Sequence, residues 1–234
     1  MRMNKKKTGQ QGFTLVELMM VVLILSTILG ALFSQIERAQ VRYKVEDQRV
    51  DLTQQEREFI DQFTRDLHQA GYPSAAVFGG QFDTTSIHVA GGVWSISQTD
   101  LHMEGDPDGN GIQSVEYSYF DGTGWAGPGA NPCPCLRRSS TLKVDGKAPS
   151  AQAVGTAFTQ VQNVVAPTAT TPIFSAYDNQ GAPIDLTTTV TDAATLAKIK
   201  SVQITVTTQG VSQDADAHKS IQVTMTGMAR LVNN

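Results

Sequence analysis

The hydrophobic pattern of the chain changes character twice. From Phe13 to Phe33 it reads FTLVELMMVVLILSTILGALF, with Glu17 as the only charge, which is about the length needed to cross a bilayer as a helix. From Ser34 to Ala70 there is no Pro or Gly, and Gln, Glu, Arg and Asp surround Val41, Val45, Leu52, Phe59, Ile60, Phe63 and Leu67. Those spacings put most of the apolar residues on one helical face. The two patterns predict one continuous helix from about Phe13 to Ala70, on the order of 85 Å long at about 1.5 Å per residue. Gly71 and Pro73, in Ala70-Gly71-Tyr72-Pro73, supply its stop signal. The stripe on its second half is expected to pack on a sheet.

From Tyr72 to Asn234 the chain is Thr-, Val-, Gly- and Ser-rich, with short alternating runs between turn clusters. Thr85 to Ala90, Ser114 to Phe120, Ser201 to Thr208 and Ser220 to Thr226 have β-strand character. Antiparallel sheet is the natural arrangement, and roughly 160 residues suffice for one core. The expectation is an α+β protein whose single head domain is built on the C-terminal half of the long helix. Gly124 to Pro134 and Ala166 to Pro172 read as long surface loops.

Glu17 changes how the apolar run is read. An ionised carboxylate within hydrocarbon costs roughly 2.5–3.5 kcal/mol on insertion scales, which makes an intramembrane acid a functional residue by default. A secretory signal peptide would have a shorter apolar core followed by a small-residue cleavage site, whereas this run passes directly into polar helix. A plain membrane anchor explains the length but neither the Gly12–Phe13 junction nor the position of Glu17.

The chain has 18 basic and 22 acidic residues. Arg2, Lys5, Lys6 and Lys7 all precede the apolar run, so the chain after Gly12 carries 14 basic against 22 acidic residues, a net charge of −8. Basic residues ahead of the helix predict a cytoplasmic leader and a periplasmic remainder. An acidic head without a dense Lys/Arg patch argues against a nucleic-acid partner.

Lys5-Lys6-Lys7-Thr8-Gly9-Gln10-Gln11-Gly12-Phe13-Thr14-Leu15-Val16-Glu17-Leu18 resembles, without a gap, the signature of the type IV prepilin family. The resemblance implies a type IV pilin-like fold, a long N-terminal helix packed on an antiparallel head. It also implies cleavage after Gly12 and N-methylation of Phe13 by a prepilin peptidase/N-methyltransferase, then assembly into a filament through packed N-terminal helices. The chain would divide into a leader (1–12), a transmembrane and filament-core helix (13–33), its amphipathic periplasmic continuation (34–71) and a β-rich periplasmic head (72–234). After cleavage the Phe13 amine can neutralise Glu17 of a neighbour in a low-dielectric core, removing the insertion penalty on assembly.

Looser likenesses extend into the head. Phe63 to Tyr72, Asp106 to Gly111, Leu136-Arg137-Arg138, Val161 to Val164, Phe174 to Gly181 and Ile199 to Ile204 resemble PilW-type minor pilins, with J-type pseudopilins of type II secretion as near relatives. These imply a minor subunit partnered by other minor pilins and a major pilin, or by pseudopilins, and by an inner-membrane assembly platform. The chain would sit in the inner membrane and then in a surface filament. A type II secretion pseudopilin and an adhesive binding module at a pilus tip are the alternatives. Ser34 lies where major pilins often carry a kinking Pro, so a straighter helix is expected there.

Asp106-Pro107-Asp108-Gly109-Asn110-Gly111 places three oxygen-bearing side chains at alternate positions before a Gly, like the start of a Ca2+ loop. The closing position is Tyr117 rather than Glu, with Glu116 one residue early, and no helices flank it. A turn-rich hairpin loop is the stronger reading and Ca2+ bound by Asp106, Asp108 and Asn110 the alternative. No other cofactor is expected. Cys133-Pro134-Cys135 favours a local, strained disulfide, with intermolecular pairing or free thiols as alternatives. His68, His88, His102 and His218 lack ligand spacing. There is no Gly-x-Ser-x-Gly elbow, Gly-Lys-Ser/Thr phosphate loop or His-Glu-x-x-His pair, so a structural subunit rather than an enzyme is expected.

Overall fold

A computed structural model describes residues 12, 14–123, 134–213 and 220–233. Helix α1 (Leu15–Gln69) runs unbroken for 55 residues, about 80 Å, through Ser34. Thr14 caps it: its Oγ1 accepts the Glu17 N–H at 3.3 Å, within a Thr-x-x-Glu pattern that favours helix initiation. The hydroxyls of Ser26, Thr27 and Ser34 donate to the carbonyls of Leu23, Ile24 and Ala31 at 2.8 Å. These three hydroxyls are thereby satisfied within the helix, as a nonpolar surrounding demands. The helix stops at the expected place, where Gly71 takes φ +75° and donates to Glu104 O at 2.9 Å.

Among the described residues nine strands follow, all paired antiparallel. Strands β1 (Gly92–Ile96), β2 (Asp100–Gly105), β3 (Gln113–Phe120), β4 (Cys135–Leu142) and β5 (Phe158–Gln162) form a meander in sequence order. Strands β6 (Phe174–Tyr177), β7 (Pro183–Ile184), β8 (Ser201–Gln213) and β9 (Ser220–Arg230) form a second sheet ordered β7-β6-β8-β9, and a short helix α2 (Ala193–Leu196) precedes β8. A bridge at Val164–Thr208 ties the end of the first sheet to β8, and one at Ile96–Val190 ties β1 to the segment before α2. The architecture is thus α+β and type IV pilin-like, a long N-terminal helix followed by antiparallel sheets.

The core lies between the C-terminal half of α1 and the two sheets. Phe59, Phe63 and Leu67 are buried there with Tyr117, Phe174, Val202, Ile204 and Val206. The Tyr117 ring meets Phe59 and Phe63 edge-on at 5.7 and 5.3 Å, and Phe63 stacks on Phe174 at 5.8 Å. Period-two burial on β8 explains its fit: Val202, Ile204, Val206 and Thr208 all face inward. Gly227 permits the close approach of the helix, since a Cβ there would lie 2.3 Å from Ile60 Cγ2.

Three expectations are modified. Thr85 to Ala90 forms turns, not a strand. Its backbone groups are taken up locally, with Val89 N donating to Ser86 O and Ile87 N to Asp145 Oδ1, while Lys143 Nζ donates to Thr84 O and Val89 O. Val41 is exposed and Val45 half-buried, so the stripe meets the head only from Leu52 onward. The sheet is divided into two. Ala166 to Pro172 is a loop with one bridge, Thr168–Thr171, and Gly124 to Cys133 lies outside the described residues.

Candidate assembly site and its anchors in the head

The N-terminal half of α1 touches nothing in the head. Its large apolar side chains from Leu15 to Phe33 are 43–75 % exposed, and its apolar window is long enough to cross a membrane. An exposed apolar surface of this extent marks a membrane or helix-packing face. Glu17 stands in the first helical turn, exposed, where a carboxylate is favoured by the helix dipole. Gly12 lies just before the cap, whereas Phe13 and the preceding leader residues lie outside the described residues.

The other half of α1 carries buried charges that fix it to the head. Asp66 Oδ2 accepts from Tyr117 Oη at 2.6 Å and from Arg138 Nε at 2.7 Å, joining α1 to β3 and β4. Burial first, and then the Asp66 charge, push the Tyr117 hydroxyl well above its ordinary pKa. Burial pulls the Arg138 guanidinium down, but Asp66 and Tyr117 outweigh it and hold the group above its usual value. A hollow of about 400 Å³ lies alongside, lined by Asp66, Arg138, Arg65 and Asp108 among others.

Glu104 on β2 and Lys143 form a fully buried pair at 2.6 Å. Burial raises the Glu104 pKa, against the Lys143 ammonium and the Gly91 N–H that lower it. With its two carbonyl acceptors in the 84–89 turns, Lys143 closes that segment onto the sheet. On α1, Glu56 is completely buried and accepts from Thr208 Oγ1 of β8 at 2.8 Å, while its Oε2 has no partner among the described residues. Burial raises its pKa from 4.5 to about 7, partly opposed by the Thr208 hydrogen bonds.

The remaining candidates are spatially separate from the helix N-terminus. Asp106, Asp108 and Asn110 sit in the turn joining β2 to β3. There Asp106 Oδ1 accepts from Gly111 N and Asp108 Oδ1 from Asn110 N, at 3.2 and 3.0 Å. The turn thus holds two carboxylates and one amide in one loop, with one oxygen of each carboxylate accepting from the backbone. Among the described residues no cluster of three or more His, Cys, Asp or Glu converges. Cys135 is buried, its Sγ 3.7 Å from Thr159 Oγ1, and Cys133 lies outside the described residues.

An exposed membrane-length helix capped beside Gly12 and continued into an antiparallel head is a type IV pilin-like architecture. A family model described as the prokaryotic N-terminal methylation motif matches residues 7–33, spanning the basic leader, the junction and the apolar run. The motif supports a membrane-anchored, pilin-like structural subunit, and it implies processing by a prepilin peptidase and assembly with other pilins. No curated protein and no solved structure matches the chain significantly.

Proposed function

We propose that the chain is a minor pilin-like subunit of a type IV pilus that enters or initiates filament assembly after its leader is removed. The observation that carries this reading is the division of α1. One half is apolar and bare beside a prepilin junction, and the other is welded to a head by Glu56, Asp66 and the aromatic core. Residues 1–12 are the leader, 13–33 the membrane and filament-core helix, 34–71 the connector and 72–234 the head. The leader faces the cytoplasm and the head the periplasm until the subunit joins the filament.

Prepilin peptidase cuts after Gly12 and the new Phe13 amine is methylated. That amine, on one subunit, pairs with Glu17 of its neighbour and sets the axial register. Partners are other minor pilins, a major pilin and the inner-membrane platform. The test is incorporation of variants into sheared filaments. Glu17→Ala is cleaved normally and incorporated poorly, and normal incorporation would remove the pairing role. Gly12→Glu stays unprocessed, and a mature-sized product from it would defeat the cleavage assignment.

A further inference from the structure

Strand β9 is the outer strand of its sheet, and its free edge is unusually open. Leu231 N donates to Lys200 O, and the register runs without interruption from Ser201–Arg230 to Gln209–Gln222. Strand alternation then turns the N–H and C=O of Val223, Met225, Gly227 and Ala229 toward β8, and those of Gln222, Thr224, Thr226, Met228 and Arg230 outward. The other side of β8 obeys the same phase: Thr205 N donates to Ile173 O, Thr207 O accepts from Val165 N, and Gln209 N donates to Asn163 O. No described residue bonds the five outward backbone pairs of β9.

Such edges are ordinarily blunted by Lys, Pro or bulges. From Ser220 to Arg230 the strand reads SIQVTMTGMAR, with Arg230 as its only charge and no Pro.

The core is also unfinished on this side. Val202, Ile204, Val206 and Thr208 of β8 are fully buried, whereas Ile221, Val223 and Met225, on the same inner face of β9, are only half-covered. Ile60 of α1 beside them is half-covered too. One more strand, apolar at alternate positions, would cover this shelf while satisfying the outward backbone groups.

We propose that this edge receives a strand from a different subunit of the same membrane-anchored assembly, which extends the sheet beyond β9. This rests on the pilin-like reading above. The direction of α1 selects the partner. Ideal Cβ positions place Gln48 against Gly210 and Ile221 beside it, and Ile60 against Gly227, so α1 runs alongside β9 in the same direction. A second copy pairing β9 to β9 antiparallel would point its α1 the opposite way. A parallel pairing would put its α1 on the opposite face of the joined sheet. The first sends the two apolar helices in opposite directions and the second holds them apart by the thickness of the joined sheet, whereas a differently built subunit can present a strand with its helix on the same side.

The test compares full-length chain purified as a monomer in detergent with the same chain in assemblies extracted intact from the envelope. The amides of Gln222, Thr224, Thr226 and Met228 should exchange quickly in the monomer and slowly in the assembly. Thr226→Pro removes an outward N–H together with the exposed hydroxyl contact between Thr226 and Thr205 at 3.4 Å, so, compared with a Thr226→Val control that loses only the hydroxyl, it should leave leader cleavage and head melting unchanged while lowering recovery in the assembly on the order of tenfold. Thr226→Lys, which installs a common edge guard, should act in the same direction. Rapid exchange at these amides in the assembly, or full recovery of Thr226→Pro, would overturn the proposal. Equal protection in a dimer of the purified chain alone would overturn the choice of partner. If Glu17→Ala is excluded from filaments while Thr226→Pro enters normally, the edge assignment fails and the subunit reading stands. An uncleaved leader in the wild-type chain would defeat the subunit reading instead.

Discussion

Replacing Glu56 with Gln should stabilise the head at neutral pH, and the gain should vanish in acid. The carboxyl is fully buried between α1 and β8, with one oxygen bonded to Thr208 and the other without a partner among the described residues. Its pKa rises from 4.5 to about 7 on folding. An acid with a raised folded pKa binds more protons in the native than in the unfolded state between those values, so stability is full below the unfolded pKa and falls as pH rises through the window. The gap corresponds to roughly 3 kcal/mol at about 1.36 kcal/mol per pH unit.

Glu56→Gln keeps an acceptor for Thr208 and cannot ionise. At roughly 2–4 °C per kcal/mol for a head of this size, it should melt roughly 6–12 °C above the parent chain at pH 8. At pH 4.5 the two should nearly coincide. Thermal unfolding of the full-length chain in detergent, followed by near-ultraviolet circular dichroism across this pH range, reads the difference. Equal melting temperatures at pH 8, or an advantage that grows toward acid, would show that Glu56 does not ionise at a cost inside the folded head.

Asp66→Ala leaves the Arg138 charge uncompensated and the Tyr117 hydroxyl without its acceptor, and should cost about 3–5 kcal/mol by urea unfolding. Asp66→Leu with Arg138→Met should recover much of that loss, because the uncompensated charge is gone. Gly227→Val should destabilise the head by roughly 1–3 kcal/mol through overpacking against Ile60, and Ile60→Ala in the same chain should relieve it, both read by thermal melting.

The long helix was legible because its cues are local: an apolar run, a stripe spaced by three and four, and Gly71-Tyr72-Pro73 at its end. The three principal strand runs near 114, 201 and 220 were legible from alternation. Thr85 to Ala90 misled because β-branched composition cannot reveal that a distant Lys143 and Asp145 will absorb its backbone groups as turns. Glu56 and Asp66 were missed for a related reason. They fall within the periodic stripe Leu52, Phe59, Phe63, Leu67, and an acid on an apolar face is the available signal, but its partners Thr208, Tyr117 and Arg138 come from strands far along the chain. The Thr14-x-x-Glu17 pattern was readable from sequence, and in the fold Thr14 caps the helix through the Glu17 backbone N–H. The unfinished edge of β9 depends on sheet order, which no single run of residues encodes.

The most direct test of the central claim is mass spectrometry of filaments sheared from the cell surface, compared with the remaining envelope, in search of a peptide that begins at N-methylated Phe13. That peptide is expected in the sheared fraction, at low abundance beside a major pilin. Finding it only in the envelope would contradict the pilus assignment in favour of a secretion pseudopilin, and finding the leader still joined through Gly12 would contradict the pilin-like account itself.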